Sequence, residues 1–381
     1  VSMKLGHLAR RSADDVSNFR TTDYVPLGHL IDENRFYGTL KEHCPALVIH
    51  PPDYDHPQLR RLPKLSPVLD LDIERISEPG MPADFSVPKD PRQWAPAFSK
   101  WLLSATKGQQ PSNEAPVILS IDKIMFSWPT WYDSPSLVRH FGELVRPRHE
   151  VRTIAAAALQ EMQDEYGTHI DFRNRNEPAV RDNAFVGVHL RVEKDAIDYH
   201  WLSYENQLDY LKQRLGQRKG PDVPVPDTDL PQGDKVLLYV ASGDTDGVKR
   251  LAKDLPFATI VTKMDILPDA TLSGARLRNL TWDQQALVDM LILEHSGYFI
   301  GVRDSTFSWH MALRRAAAVN WVVGGYPEDC WMDSKVSGAP RVRSGCKSLL
   351  QENEEWRDSL SALVGNGHAR VEPQLEITVW P

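Results

Sequence analysis

Short apolar runs and amphipathic segments alternate along residues 184–323, and this alternation constrains the fold more than any other feature of the sequence. The apolar runs are rich in β-branched residues, and they are Ala184–Leu190, Lys235–Ser242, Ala258–Thr262, Tyr298–Gly301 and Asn320–Val323. The segments between them that predict helices are Ser203–Leu215, residues 245–255, Trp282–His295 and Ser305–Ala317. Strands that alternate with helices in this way are typical of a doubly wound parallel sheet. The sequence therefore predicts the α/β class.

The length of 381 residues exceeds what one hydrophobic core usually supports, which predicts two domains. We expect an amino-terminal domain over residues 1–180, with a proline-rich irregular insertion at 51–115, and an α/β domain over residues 181–345. A carboxy-terminal helix and tail would occupy residues 346–381. Outside the alternating region, the expected strands are Pro45–His50, Pro116–Ile121 and Leu375–Val379, and the expected helices are Trp94–Ser104, His149–Tyr166 and Leu349–Val364.

Composition excludes some partners. The 44 basic and 52 acidic residues give a net charge of −8, which leaves no basic footprint for binding nucleic acid through its backbone. No apolar run approaches the roughly 20 residues of a membrane span, so we expect no membrane contact within this chain.

Cys330 and Cys346 bracket a loop, which predicts a disulfide in an oxidising compartment, with two unpaired thiols as the alternative.

A cluster of ionisable residues follows the strand Ala184–Leu190. His189 and Arg191 alternate on this stretch and share one face, and a parallel strand delivers such side chains to the crevice at its carboxyl end. The N–H donors of an arginine guanidinium match the geometry of the oxygens of a diphosphate. The alternative is a buried His/Arg pair satisfied by backbone carbonyls and an acid.

Two further features point to a nucleotide. Ser305, Thr306 and Phe307 begin a predicted helix after a strand, where hydroxyls and backbone N–H groups hold phosphates; a plain helix cap is the alternative. Asp289 has almost entirely apolar neighbours, so its carboxylate needs a partner. That partner is an internal arginine or a base edge such as the adjacent N–H donors of guanine, with a helix salt bridge as the alternative.

Three short Asp-x-Asp strings have the composition of a divalent-metal site for a nucleotide sugar, and they are Asp70-Leu71-Asp72, Asp227-Thr228-Asp229 and Asp244-Thr245-Asp246. Because such strings are common in turns and solvated loops, we interpret all three in that way and predict no metal ligands. The sequence contains no Walker A loop, no GxGxxG and no zinc-type Cys/His spacing.

Taken together, these residues resemble the O-fucosyltransferase superfamily. The matching motifs span residues 180–320, and they are Val186–Arg191 with Glu193 and Asp195, Tyr239–Asp244, Ala286–Met290, Phe299–Gly301 and Ser305–Ser308. The resemblance implies a GT-B fold of two Rossmann-like domains and transfer of fucose from GDP-fucose with inversion, without a metal or another cofactor. It further implies that His189 and Arg191 contact the sugar-diphosphate, that Asp289 binds the guanine, and that Ser305, Thr306 and Phe307 bind the phosphates.

Catalysis would then involve Arg191, which neutralises the departing GDP, and a base that activates the acceptor hydroxyl. Glu193 and Asp195 are the candidates for that base. The family's Gly- and Asn-rich loop near the amino terminus has no counterpart before Asp14, which predicts an incomplete amino-terminal domain.

The resemblance implies a protein or glycan acceptor and a location in the lumen of the ER or Golgi, with any membrane anchor lying upstream of Val1. The sequon Asn279-Leu280-Thr281 agrees with that compartment. Two other functions stay open from the residues themselves. They are a non-catalytic GT-B-like protein that binds a nucleotide or glycan, and a metal-dependent transferase that uses one of the Asp-x-Asp strings.

Overall fold

The structure is a computed structural model, and the residues it describes are 2–4, 8–9, 24–43, 45, 48–50, 64–65, 94–110, 112, 117–119, 144–168, 170, 185–198, 201–216, 236–303, 305–323, 355–357 and 361–365. All structural statements concern these residues. Several predicted features fall outside them, and they are the strand Leu375–Val379, the Cys330/Cys346 pair and the Asp-x-Asp strings at 70–72 and 227–229.

A six-stranded sheet forms the centre of the described structure, in the order β11-β12-β10-β7-β8-β9. Its strands are β7 (Phe185–His189), β8 (Val236–Ala241), β9 (Ala258–Val261), β10 (Tyr298–Val302), β11 (Glu355–Arg357) and β12 (Ser361–Val364). All neighbours pair in parallel except β11 with β12. Buried parallel strands require apolar side chains on both faces, which explains the continuous apolar runs in the sequence. The predicted α/β class is confirmed.

Helices cover both faces of this sheet, as the doubly wound prediction requires. They are α3 (His149–Tyr166), α4 (Lys194–Asp198), α5 (Tyr204–Gly216), α6 (Thr245–Asp254), α7 (Lys263–Ile266), α8 (Leu272–Asn279), α9 (Trp282–Glu294) and α10 (Thr306–Val323). One buried core joins α3, α9 and α10 to the sheet, and a second core joins α5 and α6 to its opposite face.

Helix α3 belongs to the first core although the predicted division places it in the amino-terminal domain. Its buried residues recur at helical spacing on one face, and they include Ile154, Ala158 and Met162. They pack in one cluster with Phe185 of β7 and Val288 of α9. The helix ends where Gly167 adopts a left-handed conformation with φ 64°, which glycine accepts without strain.

Before α3 the structure describes shorter elements. They are β1 (Ser2–Lys4), β2 (Leu8–Ala9), β3 (Tyr24–Val25), α1 (Glu33–His43), β4 (Val48–His50), β5 (Lys64–Leu65), α2 (Trp94–Ala105) and β6 (Ile118–Leu119), with a 3-10 turn at Leu27–His29. β1 pairs in parallel with β4, and β5 with β6. The helix predicted at Trp94–Ser104 is therefore present. The described residues of the strands predicted at Pro45–His50 and Pro116–Ile121 include the strands Val48–His50 and Ile118–Leu119.

This early segment contacts the sheet domain through polar groups. The Arg152 guanidinium lies 3.3 Å from the Asp32 carboxylate, and the Asp32 N–H donates to the carbonyl of Arg146 at 2.9 Å. The Gln284 side chain donates to the carbonyl of His29 at 2.7 Å. These contacts fix residues 24–32 against α3 and the start of α9.

Two predicted elements are wrong. The strand predicted at Asn320–Val323 is the end of α10, because Ala316, Ala317 and Ala318 are strong helix formers and continue the helix to Val323. A helix was also predicted at Leu349–Val364, but the described residues of this range form the strands β11 and β12. Ser361–Val364 pairs with β10 and occupies the place beside it in the sheet, so part of the predicted tail belongs to the α/β domain.

No helix in the described ranges combines the length and the apolar character needed to cross a membrane.

Candidate functional site

A cleft of about 570 Å³ opens at the carboxyl ends of β7, β8 and β9 and at the start of α10. The chain runs from β7 through β8 to β9 on one side and then returns to β10 on the other side of β7. Such a reversal of strand order creates a crevice where open α/β sheets bind ligands. Seven of the predicted site residues line this cleft, and they are His189, Arg191, Glu193, Asp289, Ser305, Thr306 and Phe307.

Arg191 is held in place at the end of β7. Its guanidinium donates to the Glu193 carboxylate at 2.6 Å and lies 5.4 Å from the centre of the Trp201 ring. Its backbone is fixed as well, because Gln207 accepts from its N–H at 3.2 Å and donates to its carbonyl at 2.8 Å. With 12% of its side chain exposed, Arg191 presents a positive charge to the cleft in a defined position.

Glu193 links two strand ends. One carboxylate oxygen accepts from Arg191 and the other accepts from the Gly243 N–H at 2.7 Å. A Cβ on residue 243 would lie 2.8 Å from the Glu193 carboxylate, so glycine permits this close approach. Because both oxygens already accept hydrogen bonds, Glu193 is arranged to position Arg191. Asp195, the other candidate base, lies in the short helix α4, and its side chain is outside the described part of the structure.

His189 is neutral in this environment. Burial, and then the neighbouring positive charge of Arg191, lowers its pKa from 6.5 to about 3. Its ring lies 4.7 Å from the Phe307 ring, and its Nδ1 lies 2.7 Å from the Ser308 hydroxyl oxygen. That oxygen also accepts from the Val302 N–H at 3.1 Å, so Ser308 joins the His189 ring to the backbone at the end of β10.

Ser308 was not predicted as a site residue, although it directly follows the Ser-Thr-Phe triplet. It is fully buried, and it connects His189 to the end of β10. Sequence analysis could find it only by placing residue 308 on the buried side of α10, one turn from Ser305.

The start of α10 faces the cleft. Ser305 is buried, Thr306 is exposed and Phe307 is partly buried, and all three line the cavity. The first N–H groups of a helix have no partner within the helix, and the helix dipole makes this end electropositive. The structure places residues 305–307 at the cleft, and anion binding by them stays a prediction.

Asp289 is 5% exposed and has two protein partners. The Tyr239 hydroxyl donates to one carboxylate oxygen at 2.7 Å, and the Lys263 ammonium contacts the other. Burial, and then the Asp289 charge, raises the pKa of Tyr239 well above its usual value. The internal cation is thus a lysine on α7 and not the expected arginine. The feature of the sequence that could have indicated Lys263 is its position directly after the predicted strand Ala258–Thr262.

The Asp-x-Asp string at 244–246 acts as a helix cap. Asp244 accepts from the N–H groups of Asp246 and Gly247 at 3.0 Å, and Asp246 lies 2.9 Å from Lys249. Within the described ranges, no three His, Cys, Asp or Glu side chains are grouped as metal ligands. The string is therefore the beginning of a helix and not the turn or solvated loop that the sequence suggested, and its lack of a metal stays a prediction.

The fold and the cleft define a Rossmann-like α/β domain with a polar crevice at the carboxyl edge of its sheet. No protein family matches the sequence, and no curated protein matches it.

Solved structures of fucosyltransferases are similar to the chain. The structure of POFUT1 in complex with GDP-fucose is 12% identical, with 82% of this chain and 85% of that chain covered and a TM-score of 0.39. POFUT1 in complex with GDP is 14% identical, with 77% and 82% covered and a TM-score of 0.36. A mutant of Arabidopsis thaliana FUT1 in complex with GDP is 13% identical, with 53% and 42% covered and a TM-score of 0.30.

Proposed function

We propose that the chain is a glycosyltransferase that transfers a sugar from a GDP-sugar, with fucose as the first candidate, to a hydroxyl of a protein or glycan acceptor. Transfer would invert the anomeric centre and require neither a metal nor another cofactor. The observation that carries the proposal is the convergence in one cleft of an anion-binding helix start, Arg191 with neutral His189, and the buried carboxylate of Asp289. A nucleoside diphosphate needs such groups at its phosphate and base ends.

The diphosphate would lie between Arg191 and the start of α10. Negative charge builds up on the diphosphate as the bond to the sugar breaks, and a fixed guanidinium together with helix N–H groups stabilises that charge. His189 stays neutral, so the site does not rely on protonating this ring. Glu193 holds Arg191 in position before the nucleotide binds.

The guanine would lie at Asp289. A carboxylate accepts from two adjacent N–H donors at once, and N1 and N2 of guanine provide such a pair. Tyr239 and Lys263 hold this carboxylate in a fixed orientation. The rest of the base would contact the apolar lining beside it, which includes Met264 and Ala286.

The acceptor hydroxyl would attack the anomeric carbon from the face opposite GDP. The new bond from oxygen to carbon forms as the bond from carbon to the diphosphate oxygen breaks, and the hydroxyl proton passes to a carboxylate base. Asp195 or Glu193 would take that proton, and Glu193 would first have to release Arg191 or Gly243.

The occupied carboxylate of Glu193 also favours a second candidate function, which is a domain that binds a GDP-sugar without turnover. The main proposal includes a location in the lumen of the ER or Golgi. The exposure of one side chain supports this location. Asn279 of the sequon is exposed at the end of α8, where a glycan would meet no neighbouring core.

The test measures GDP binding by calorimetry and GDP release from GDP-fucose in the presence of EDTA. Removing a charged phosphate contact costs about 2–4 kcal/mol, so Arg191→Ala should weaken GDP binding by roughly 30-fold to 1,000-fold. Arg250→Ala is the matched control, because Arg250 pairs with Glu205 outside the cleft and should leave GDP affinity unchanged.

The outcomes separate the candidate functions. Unchanged GDP affinity in Arg191→Ala would overturn the phosphate assignment. Binding without release of GDP across a broad panel of acceptors supports the non-catalytic domain. Release that EDTA abolishes supports the metal-dependent transferase.

A further inference from the structure

The ion pair between Lys263 and Asp289 lies in the wall of the cleft and not in the interior of the domain. Their side chains are 11% and 8% exposed, and both residues line the cavity. Taking two charges out of water costs free energy that their attraction barely repays, so such a pair is weak evidence for a purely stabilising role. Its position against the cavity indicates a role in binding.

The pair has a defined orientation. Lys263 is the first residue of α7, directly after Thr262, whose side chain caps that helix. Asp289 is fixed on the opposite side by the Tyr239 hydroxyl at 2.7 Å. The pair therefore places a cationic donor and an anionic acceptor next to each other along one wall.

We infer that Lys263 determines which nucleobase the cleft accepts, by donating to the O6 atom of a 6-oxopurine while Asp289 accepts from the adjacent N–H groups. This inference rests on the proposed function and adds to it the residue that selects the base. An ammonium group has three N–H donors, and the contact with Asp289 needs one of them. Lysine and arginine donors to guanine O6 and N7 are the commonest specific contacts to bases in nucleic acids.

The same wall would disfavour adenine. Adenine carries an amino group where guanine carries O6, so its N–H donors would face the ammonium of Lys263. Two N–H donors that face each other form no hydrogen bond, and their partial positive charges repel. Lys263 therefore contributes to the preference for GDP over ADP, whereas Arg191, at the diphosphate, contributes equally to both nucleotides.

The experiment measures the dissociation constants of GDP and ADP for the whole chain by calorimetry, in the wild type and in Lys263→Met. One good base contact changes discrimination by roughly tenfold to 100-fold, so the ratio of ADP to GDP dissociation constants should fall by that factor in Lys263→Met. Lys194→Met is the matched control, since Lys194 pairs with Asp198 at 2.5 Å on an exposed helix outside the cleft. Its ratio should equal that of the wild type.

A second variant addresses the charge that Lys263→Met leaves unpaired on Asp289. Lys263→Met combined with Asp289→Asn has no buried charge, and its thermal midpoint shows whether the fold survives. A ratio that is lower in this folded double variant than in Asp289→Asn alone supports the inference as well.

Each outcome separates the inference from the function on which it rests. A wild type that binds neither nucleotide overturns both. If the wild type prefers GDP and Lys263→Met has the same ratio of ADP to GDP dissociation constants, the role of Lys263 is overturned. The proposed GDP site is not affected by that outcome. Equal weakening of GDP and ADP in Lys263→Met would assign Lys263 to structure or to the phosphates, and would also overturn the inference.

Discussion

At the scale of single residues, the cleft depends on side chains that hold other side chains. Ser308 orients His189, Glu193 orients Arg191, and Tyr239 orients Asp289. Each supporting residue lies one hydrogen bond away from a residue that faces the cavity. Groups held in this way lose little freedom when a ligand binds, which favours affinity.

Gly301 is the position where this support is most sensitive. A Cβ there would lie 2.5 Å from the Ser308 oxygen and 2.9 Å from the Phe299 ring, so Gly301→Ala must displace the residue that holds His189. We expect a loss of about 1–3 kcal/mol in the free energy of unfolding, measured by urea titration, together with weaker GDP binding.

Gly38→Ala is the control for this prediction. Gly38 lies in α1, and a Cβ there meets nothing within 4 Å. Because alanine favours helices over glycine, this change should stabilise the chain by about 0.5–1 kcal/mol without affecting GDP. Equal behaviour of the two variants would contradict the role assigned to Gly301.

The residues of the site could be predicted only in part. His189, Arg191 and Ser305 follow strands or begin a helix, and that position is visible in the sequence. Lys263 and Ser308 gain their importance from contacts with residues far along the chain. Lys263 meets Asp289 only because the fold brings the start of α7 against α9, which no local pattern reveals.

At the scale of elements, β12 completes the parallel sheet. Ser361, Ala362 and Leu363 are fully buried between β10 and β11. Because β10 leads directly into Ser305, the strand that supports it from one side also supports the start of α10.

Leu363→Ala tests how much β12 contributes to the stability of the fold. Removing a buried leucine side chain costs about 2–5 kcal/mol, so the denaturation midpoint should fall markedly. Leu272→Ala is the matched control, since Leu272 is 70% exposed on α8 and should change stability by less than about 0.5 kcal/mol. Equal midpoints for the two variants would contradict the central position of β12.

Sequence patterns predicted most elements between residues 185 and 310 because those strands are apolar and bounded by turns. β12 was missed because Ser361–Val364 is a short apolar run within a longer stretch with helical spacing. A four-residue run of this kind is ambiguous, and pairing with β10 decides its conformation. For the same reason α10 was predicted to end before Val323.

At the scale of the whole molecule, buried histidines connect stability to pH. The pKa of His189 falls from 6.5 to about 3 on burial, so the folded chain binds this proton more weakly than the unfolded chain does. The resulting stability is complete above pH 6.5 and is lost progressively as the pH falls toward 3. Burial of His310 lowers its pKa to about 4, which acts in the same direction.

His189→Gln should therefore make the decline of the unfolding free energy between pH 6.5 and 3 shallower, by up to about 1.4 kcal/mol per pH unit. Urea titrations at several pH values measure this slope. The control is His149→Gln, at an exposed position on α3, which should decline as steeply as the wild type. A slope that His189→Gln leaves unchanged would show that the ring is protonated in the folded chain.

The position of β12 also has a consequence for the order of folding. The strand β10 must wait for its later partner β12, because pairing over a long sequence separation closes a large loop. During synthesis, β7, β8, β9 and β10 leave the ribosome well before Ser361–Val364 does. One edge of β10 therefore stays open until Ser361–Val364 has been synthesised, and in that interval the nascent chain exposes a strand edge that other chains can pair with.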